Sequence, residues 1–168
     1  MELNEYACKL GRIHGNLMSI ETSIRFFLQN QVDRRQITLE SNLLTVHPDY
    51  DSLKVGDCVP ENAITDFKSL EALIDAFDRG VAEKYPDLKL DKALITLRDA
   101  LAHGRAFTLD PKLPLLLVKF AKPVDGKVRV EFAEHVTDEK LLEWFNIVME
   151  NLRRVTVASE RFGNDSPP

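Results

Sequence analysis

An apolar stripe near the N-terminus constrains the fold of this chain more than any other sequence feature. Its members recur at alternating steps of three and four between residues 2 and 30: Leu3, Tyr6, Leu10, Ile13, Leu17, Ile20, Ile24 and Phe27. This spacing places them on one side of a long α-helix. Steps that average 3.5 residues favour shallow, coiled-coil-like packing against neighbouring helices. The stripe therefore predicts a helix bundle in preference to a dimer seam.

Three further helices are indicated by the same kind of periodicity. The second covers about residues 65–84, with an apolar face that includes Phe67, and it ends before Pro86. The third carries a core stripe of leucines at 90, 94, 97 and 101, and Asp87 or Asp91 can cap its start. The last begins at Thr137, whose side chain caps its first turn. Residues 31–60 lack a helical period and predict a long connection with at most one short strand.

A β-hairpin is predicted between the third and last helices. The stretches LPLLLVKF and VRVEFAE have strand character, and the segment between them contains Pro123 and the turn pair Asp125-Gly126. The fold class is therefore mainly α, a four-helix bundle with a small β-hairpin inserted before the last helix.

Length and composition limit the classes of protein to consider. With 168 residues, 44% of them hydrophobic, we expect one domain over residues 1–160 and a flexible tail at 161–168. The net charge of −5 argues against a broad basic face, so any RNA contact must be local. The acidic first residues and the lack of long apolar runs predict a cytoplasmic protein with no membrane segment. Cys8 and Cys58 are isolated thiols, and no residue set predicts a metal or cofactor.

The stretch LRDALAHGR, residues 97–105, is the candidate functional motif. It places Arg98, Asp99 and His103 on a helix otherwise built of Leu and Ala, and Gly104 is predicted to form the left-handed end of that helix. At 100° per residue these polar side chains flank a second, partly apolar helix surface opposite the core stripe. Two copies that pack this surface about a twofold axis would bring Arg and His from both chains into one cleft.

The spacing of these residues suits acid–base chemistry on a phosphodiester. Asp99 and His103 are four apart, so the carboxylate can orient the imidazole and favour its protonated form. The negative helix end favours the imidazolium as well, and Gly104 would leave space for a substrate backbone. The imidazole would move a proton to or from the 2′-hydroxyl of RNA or the leaving oxygen, while Arg98 holds the phosphate. No metal is required for this reaction.

LRDALAHGR resembles the Arg-(four to six)-His motif of the HEPN superfamily, a set of dimeric helical domains that includes metal-independent ribonucleases. The resemblance covers about residues 2–160 and implies a homodimer whose catalytic residues are Arg98, Asp99 and His103. Where some toxin members carry a Tyr, two residues after the His, this chain has Arg105. Arg105 and the adjacent Gly104 are candidate substrate-binding residues, with a solvated surface as the other interpretation of Arg105.

Several alternatives stay open at this point. Arg129 and His135 match the same spacing, but they fall on a predicted strand and its exit. Arg98 and His103 would also suit a helix-border ion pair and a helix C-terminal cap. Glu21 and Arg25, four residues apart, predict an exposed helical ion pair. The leading functional hypothesis is a dimeric endoribonuclease of toxin or defence type that acts on RNA. The alternatives are a non-catalytic HEPN-like dimer that binds an antitoxin or another partner protein, and a nucleotide-binding sensor.

Overall fold

The computed structural model describes residues 3–39, 52–108 and 114–164 of the chain. In this part the protein is mainly helical, with one small antiparallel sheet. Its α-helices are α1 (Leu3–Leu39), α2 (Leu70–Val81), α3 (Ala93–His103) and α4 (Asp138–Asn164), and Pro86–Leu88 form a short 3-10 helix. The strands are β1 (Arg105–Phe107), β2 (Leu116–Phe120) and β3 (Val130–His135), in the order β1-β2-β3.

Helix starts follow from local side-chain chemistry. Ser69 precedes α2, and its side chain accepts a hydrogen bond from the Ala72 amide. The Thr137 hydroxyl accepts one from the Lys140 amide at 3.2 Å, so the cap predicted at the start of α4 is confirmed. Before α3, the Asp91 carboxylate accepts a hydrogen bond from the Ala93 amide at 2.8 Å.

Helix α1 is longer than the apolar stripe predicts. Residues 31–39, which we expected to begin a long connection, continue the helix to Leu39. This stretch, QVDRRQITL, contains neither Pro nor Gly, so nothing in it breaks the backbone hydrogen bonding of the helix. Asp33 in this stretch is buried, and its carboxylate accepts a hydrogen bond from the buried Gln29 side chain one turn earlier, at 2.8 Å. Residues 40–51 of the predicted connection lie outside the described residues.

Helix α2 is shorter than predicted, and α4 is longer. Phe67, which we placed on the apolar face of α2, precedes that helix and is fully exposed. Helix α4 continues to Asn164, so residues 161–164 of the predicted tail are helical. Residues 165–168 lie outside the described residues.

The sheet has three strands where the sequence predicts a hairpin of two. The predicted hairpin is present as β2 and β3, which pair antiparallel with Val118 opposite Ala133. Asp125 and Gly126 both have positive φ, 51° and 72°, as a two-residue type I′ turn requires. The unpredicted strand β1 adds to the other side of β2, with Arg105 opposite Val118.

The chain divides into two compact units, which are described separately. The sheet unit comprises Met1–Ile20 and Leu90–Arg154 and contains α3 and all three strands. The second unit comprises Glu21–Lys89 and Val155–Pro168. The single-domain prediction stays a prediction.

Two faces of the sheet are distinguished by the contacts of alternate residues. On one face, Phe132 of β3 lies 6.3 Å from Trp144 of α4 between ring centroids, and Lys119 of β2 reaches Asp99 of α3. This inner face packs on helices. The opposite, outer face carries Arg105 and Phe107, because side chains alternate along a strand and these two residues pair with Val118 and Leu116. Phe120 follows an irregularity in the β2–β3 pairing, and its contact with the Arg105 guanidinium places it on this face as well.

In the second unit, Arg25 of α1 organises the chain that precedes α2. Its guanidinium donates hydrogen bonds to the backbone oxygens of Ala63, Asp66 and Lys68 at 3.0–3.2 Å and to the Asp66 carboxylate at 2.6 Å. It also contacts Glu21 at 3.1 Å. The Arg25 side chain is only 11% exposed. The prediction of an exposed pair is therefore wrong, because a distant loop closes over the guanidinium.

Candidate functional site

The candidate site lies at the C-terminal end of α3, in the sheet unit. The core side of this helix is formed by Leu94, Leu97 and Ala100, which are buried. Helical periodicity then turns the three candidate catalytic side chains toward the surface. The Arg98 and Asp99 side chains are about one-third exposed, at 38% and 36%, and His103 is exposed as the last residue of α3.

Gly104 joins α3 directly to β1. Its backbone is extended, with φ −71° and ψ 162°, so the predicted left-handed conformation is wrong. The need for glycine here is steric. A Cβ at this position would overlap the carbonyl oxygen of Ala100 and lie 2.8 Å from Cδ1 of Leu117. The space that we expected to accept a substrate backbone is therefore occupied by the protein itself, and the substrate-binding role of Gly104 stays a prediction.

The Asp99 carboxylate has partners other than the predicted one. Oδ1 lies 3.4 Å from Nη1 of Arg98, and Oδ2 lies 3.3 Å from Nζ of Lys119. Among the described residues, no hydrogen bond joins Asp99 to His103. Strand β2 places the Lys119 ammonium group beside α3. There it binds the Asp99 carboxylate, which the helical spacing alone would place near the His103 imidazole.

Lys119 links the α3 motif to the sheet. Its Nζ also lies 3.2 Å from Glu131, which in turn lies 3.5 Å from Nη2 of Arg129. The hydrogen bond to Glu131 raises the pKa of Lys119, partial burial opposes this, and the hydrogen bond to Asp99 adds to it. Lys119 therefore stays protonated near neutral pH. The result is a chain of alternating charges from Arg98 to Arg129.

A cleft of about 230 Å³ brings His103 and Arg105 together. Its other lining residues are Phe120, Ala121, Pro123 and Val128, all from β2 and the hairpin. The Arg105 guanidinium lies over the Phe120 ring, 5.6 Å from its centroid, a cation–π geometry. Sheet register brings the two residues close, because Arg105 is opposite Val118, two residues before Phe120 on β2.

The predicted residues thus fall into two groups within one chain. His103 and Arg105 share the cleft, whereas Arg98 and Asp99 belong to the ion-pair chain with Lys119. Arg98 does not line the cleft. An arginine and an imidazole that act on one phosphate would therefore be His103 with Arg105, or His103 with the Arg98 of a second copy.

Other residues of this region were missed by the sequence reasoning. A second cleft, of about 480 Å³, shares Ala121 and Val128 with the first and is bordered by three cations: Lys122, Lys127 and Arg129. The available signal was the clustering of these cations around the Asp125-Gly126 turn. Nothing in the sequence distinguishes Phe120, because apolar residues two positions apart, such as Val118 and Phe120, occur in any strand.

A separate cleft of about 420 Å³ lies elsewhere in the sheet unit. Ile13, Leu141, Leu142 and Phe145 form its apolar surface, with Lys9, Arg12, Asp138 and Glu139 around it. Lys9 is bound to Asp138 at 2.7 Å and to Glu5 at 2.9 Å. Leu142 is 61% exposed and extends the apolar surface of this cleft to the solvent.

Comparisons with known proteins and a search for metal ligands complete the description. Nothing matches this chain among protein-family models, curated proteins or solved structures. Within residues 3–39, 52–108 and 114–164, no group of three or more His, Cys, Asp or Glu side chains is arranged to hold a metal ion. None of the helices in these ranges combines the length and hydropathy needed to cross a bilayer.

Proposed function

We propose that this protein is a HEPN-like, metal-independent endoribonuclease that acts on RNA as a homodimer. The observation that supports the proposal is the cleft in which the exposed His103 imidazole and the Arg105 guanidinium meet. An imidazole titrates near neutral pH and can transfer protons, and a guanidinium binds phosphate through paired hydrogen bonds. Together they supply the two functions that RNA transesterification needs.

In the proposed reaction, the 2′-oxygen of a ribose attacks the adjacent phosphorus. A neutral His103 takes the 2′-hydroxyl proton and, as the imidazolium, gives that proton to the 5′-oxygen as this oxygen leaves. The products are a 2′,3′-cyclic phosphate and a 5′-hydroxyl, and the atoms and protons balance without a metal. Arg105, together with Arg98 of the second copy, stabilises the negative charge that develops on the phosphoryl oxygens.

The dimer is proposed to form through the outer side of α3. Ala102 is exposed and Ile95 is half-buried, so this side offers small and apolar contacts to an identical helix. Packing about a twofold axis would carry Arg98 of one copy toward His103 of the other, whose cleft Arg98 of the same chain does not line. In this arrangement Asp99 and Lys119 hold Arg98 in position rather than orienting His103.

Cleavage of RNA in the presence of a chelator tests the proposal. We expect the dimeric wild-type protein to release fragments with cyclic phosphate ends, and His103→Ala or Arg98→Ala to abolish the release. His14→Ala is the matched control, because His14 is exposed on α1 and outside the cleft. Intact RNA with a folded, dimeric protein would contradict the proposal.

A mixing experiment tests the shared site. Neither Arg98→Ala nor His103→Ala cleaves alone, but heterodimers of the two should regain part of the activity if the residues meet across the dimer. A dimer-blocking Ala102→Glu should abolish cleavage and give a monomeric mass in sedimentation. If the mixed variants regain no cleavage activity, Arg98 does not take part in the reaction across the dimer.

The second candidate is a non-catalytic dimer that binds a partner protein, an antitoxin for example. It is favoured by the apolar cleft around Ile13, Leu142 and Phe145, because the exposed Leu142 would be covered by a partner. A folded dimer that leaves RNA intact, and that loses a partner protein on Leu142→Asp, would support this candidate over the first.

A further inference from the structure

The β2–β3 hairpin concentrates positive charge in an acidic protein. Lys122, Lys127 and Arg129 lie within eight positions of one another, with Asp125 as the acidic residue among them, while the whole chain has a net charge of −5. All three cations are exposed. Among the residues that the structure describes, no carboxylate pairs with Lys122 or Lys127. A local cluster of exposed cations attracts anionic ligands.

The outer face of the sheet adds flat, stacking side chains next to these cations. Phe107 is 42% exposed, and Phe120 carries the Arg105 guanidinium over its ring. Register places Arg105 and Phe107 on the same face, and the cation–π contact with Arg105 places Phe120 there too. The contacts of Phe132 and Lys119 show that the helices cover the other face. Aromatic rings and guanidinium planes on a sheet face are surfaces on which unpaired bases stack.

We infer that the outer sheet face and the hairpin together bind a single-stranded segment of RNA. Bases stack on Phe107 and on the Arg105–Phe120 pair, while Lys122, Lys127 and Arg129 bind the phosphates. The cleft that these cations border is next to the cleft that contains His103, because the two share Ala121 and Val128. The inference rests on the proposed function for its choice of RNA, and it assigns that function a substrate class and a substrate-positioning surface.

The stacking surface distinguishes this ligand from a duplex and from an acidic peptide. In an A-form duplex the bases are stacked on each other, so their faces are not available to Phe107 or Phe120. An acidic peptide would satisfy the lysines but has no flat rings to place on the sheet. Both therefore serve as competitors in the test.

Fluorescence anisotropy with a labelled oligoribonucleotide tests the inference, in a His103→Ala background that prevents cleavage. Lys122→Ala/Lys127→Ala should weaken binding on the order of tenfold at low salt. It should also reduce the slope of log K against log salt by about 0.7 for each lost phosphate contact. Lys54→Ala/Arg79→Ala is the control, because it removes the same charge from exposed positions in the second unit.

The base-stacking part is tested with Phe107→Ala and with an abasic oligomer of equal length. Phe107 is exposed on an edge strand, so the variant should fold, and it should lose about tenfold in affinity for RNA but not for the abasic oligomer. Equal binding of the abasic oligomer, a duplex or polyglutamate by the wild type would overturn the inference. So would equal effects of the hairpin and control pairs.

The two proposals fail in different ways. If the wild-type protein cleaves RNA but the hairpin variants bind and cleave normally, the inference is wrong and the proposed function stands. If single-stranded RNA binds through the hairpin and is never cut, the nuclease proposal is wrong and the binding surface stands.

Discussion

Replacing Gly104 with Ala should destabilise the protein although the backbone at this position suits any residue. With φ −71° and ψ 162°, alanine meets no conformational penalty. The added methyl group meets atoms instead: it overlaps the Ala100 carbonyl oxygen and lies 2.8 Å from Cδ1 of Leu117. The end of the Leu117 side chain can move aside, but the Ala100 carbonyl belongs to the backbone, so the backbone at the α3–β1 junction must shift.

The cost follows from two losses and one gain. Forcing a methyl group into a packed site costs about 1–3 kcal/mol. Moving residue 104 away from the Ala100 carbonyl also weakens the hydrogen bond from its amide to that carbonyl, now 2.8 Å long, a further loss of about 1 kcal/mol. The lower entropy of the unfolded chain returns about 0.4–1 kcal/mol. We therefore expect Gly104→Ala to lower the free energy of unfolding by about 1–4 kcal/mol.

Urea unfolding followed by circular dichroism and by Trp144 fluorescence measures this loss. Trp144 is the sole tryptophan and is buried in the sheet unit, so it reports on the affected region. Gly11→Ala and Gly15→Ala are matched controls, because a Cβ at either position in α1 has no neighbour within 4 Å. Each control should raise stability by about 0.5–1 kcal/mol. A Gly104→Ala protein as stable as these controls would refute the steric argument.

Two further predictions concern the second unit. Arg25→Ala should lower the free energy of unfolding in urea by about 3 kcal/mol, because it leaves the Asp66 carboxylate and three backbone oxygens without their donor. Arg153→Ala, which removes an exposed ion pair with Glu150, should lower it by less than about 0.5 kcal/mol. Equal losses would contradict the structural role of Arg25. Burial opposes ionisation of Asp66, yet hydrogen bonds from Lys68 and Arg25 lower its pKa below 3.8. Its stabilising contribution is therefore complete above about pH 4 and is lost as the pH falls through the folded-state pKa. Unfolding free energies measured between pH 6 and pH 2 should fall less steeply in Asp66→Asn, and identical slopes would exclude this carboxylate as a source of acid sensitivity.

Features encoded by neighbouring residues were predictable from the sequence. The Thr137 cap and the Asp125-Gly126 turn each depend on the chemistry of a few adjacent residues, and both are present. The apolar stripe of α1 is likewise buried at every third or fourth position from Tyr6 to Phe27, apart from Leu10. Periodicity of this kind reports burial directly, whichever helix packs against it.

Features set by residues distant in the chain were not predictable. Asp99 binds Lys119, twenty positions later, instead of His103, and no local pattern shows which cation will arrive beside a carboxylate. Arg25 was assigned to solvent because the loop that covers it lies about forty positions away. Strand β1 is three residues long, too short for alternation to be recognised. The sequence was sufficient to place the candidate catalytic residues on α3, but it did not show which groups each of their side chains contacts.

The single residue between α3 and β1 makes the spacing of the motif inflexible. One amino acid inserted beside Gly104 would turn each later side chain of β1 to the opposite face, so Arg105 would point at the helices and Ala106 would take the place of Phe107. Insertions and deletions should therefore be tolerated at the tip of the β2–β3 hairpin but not at the junction between α3 and β1.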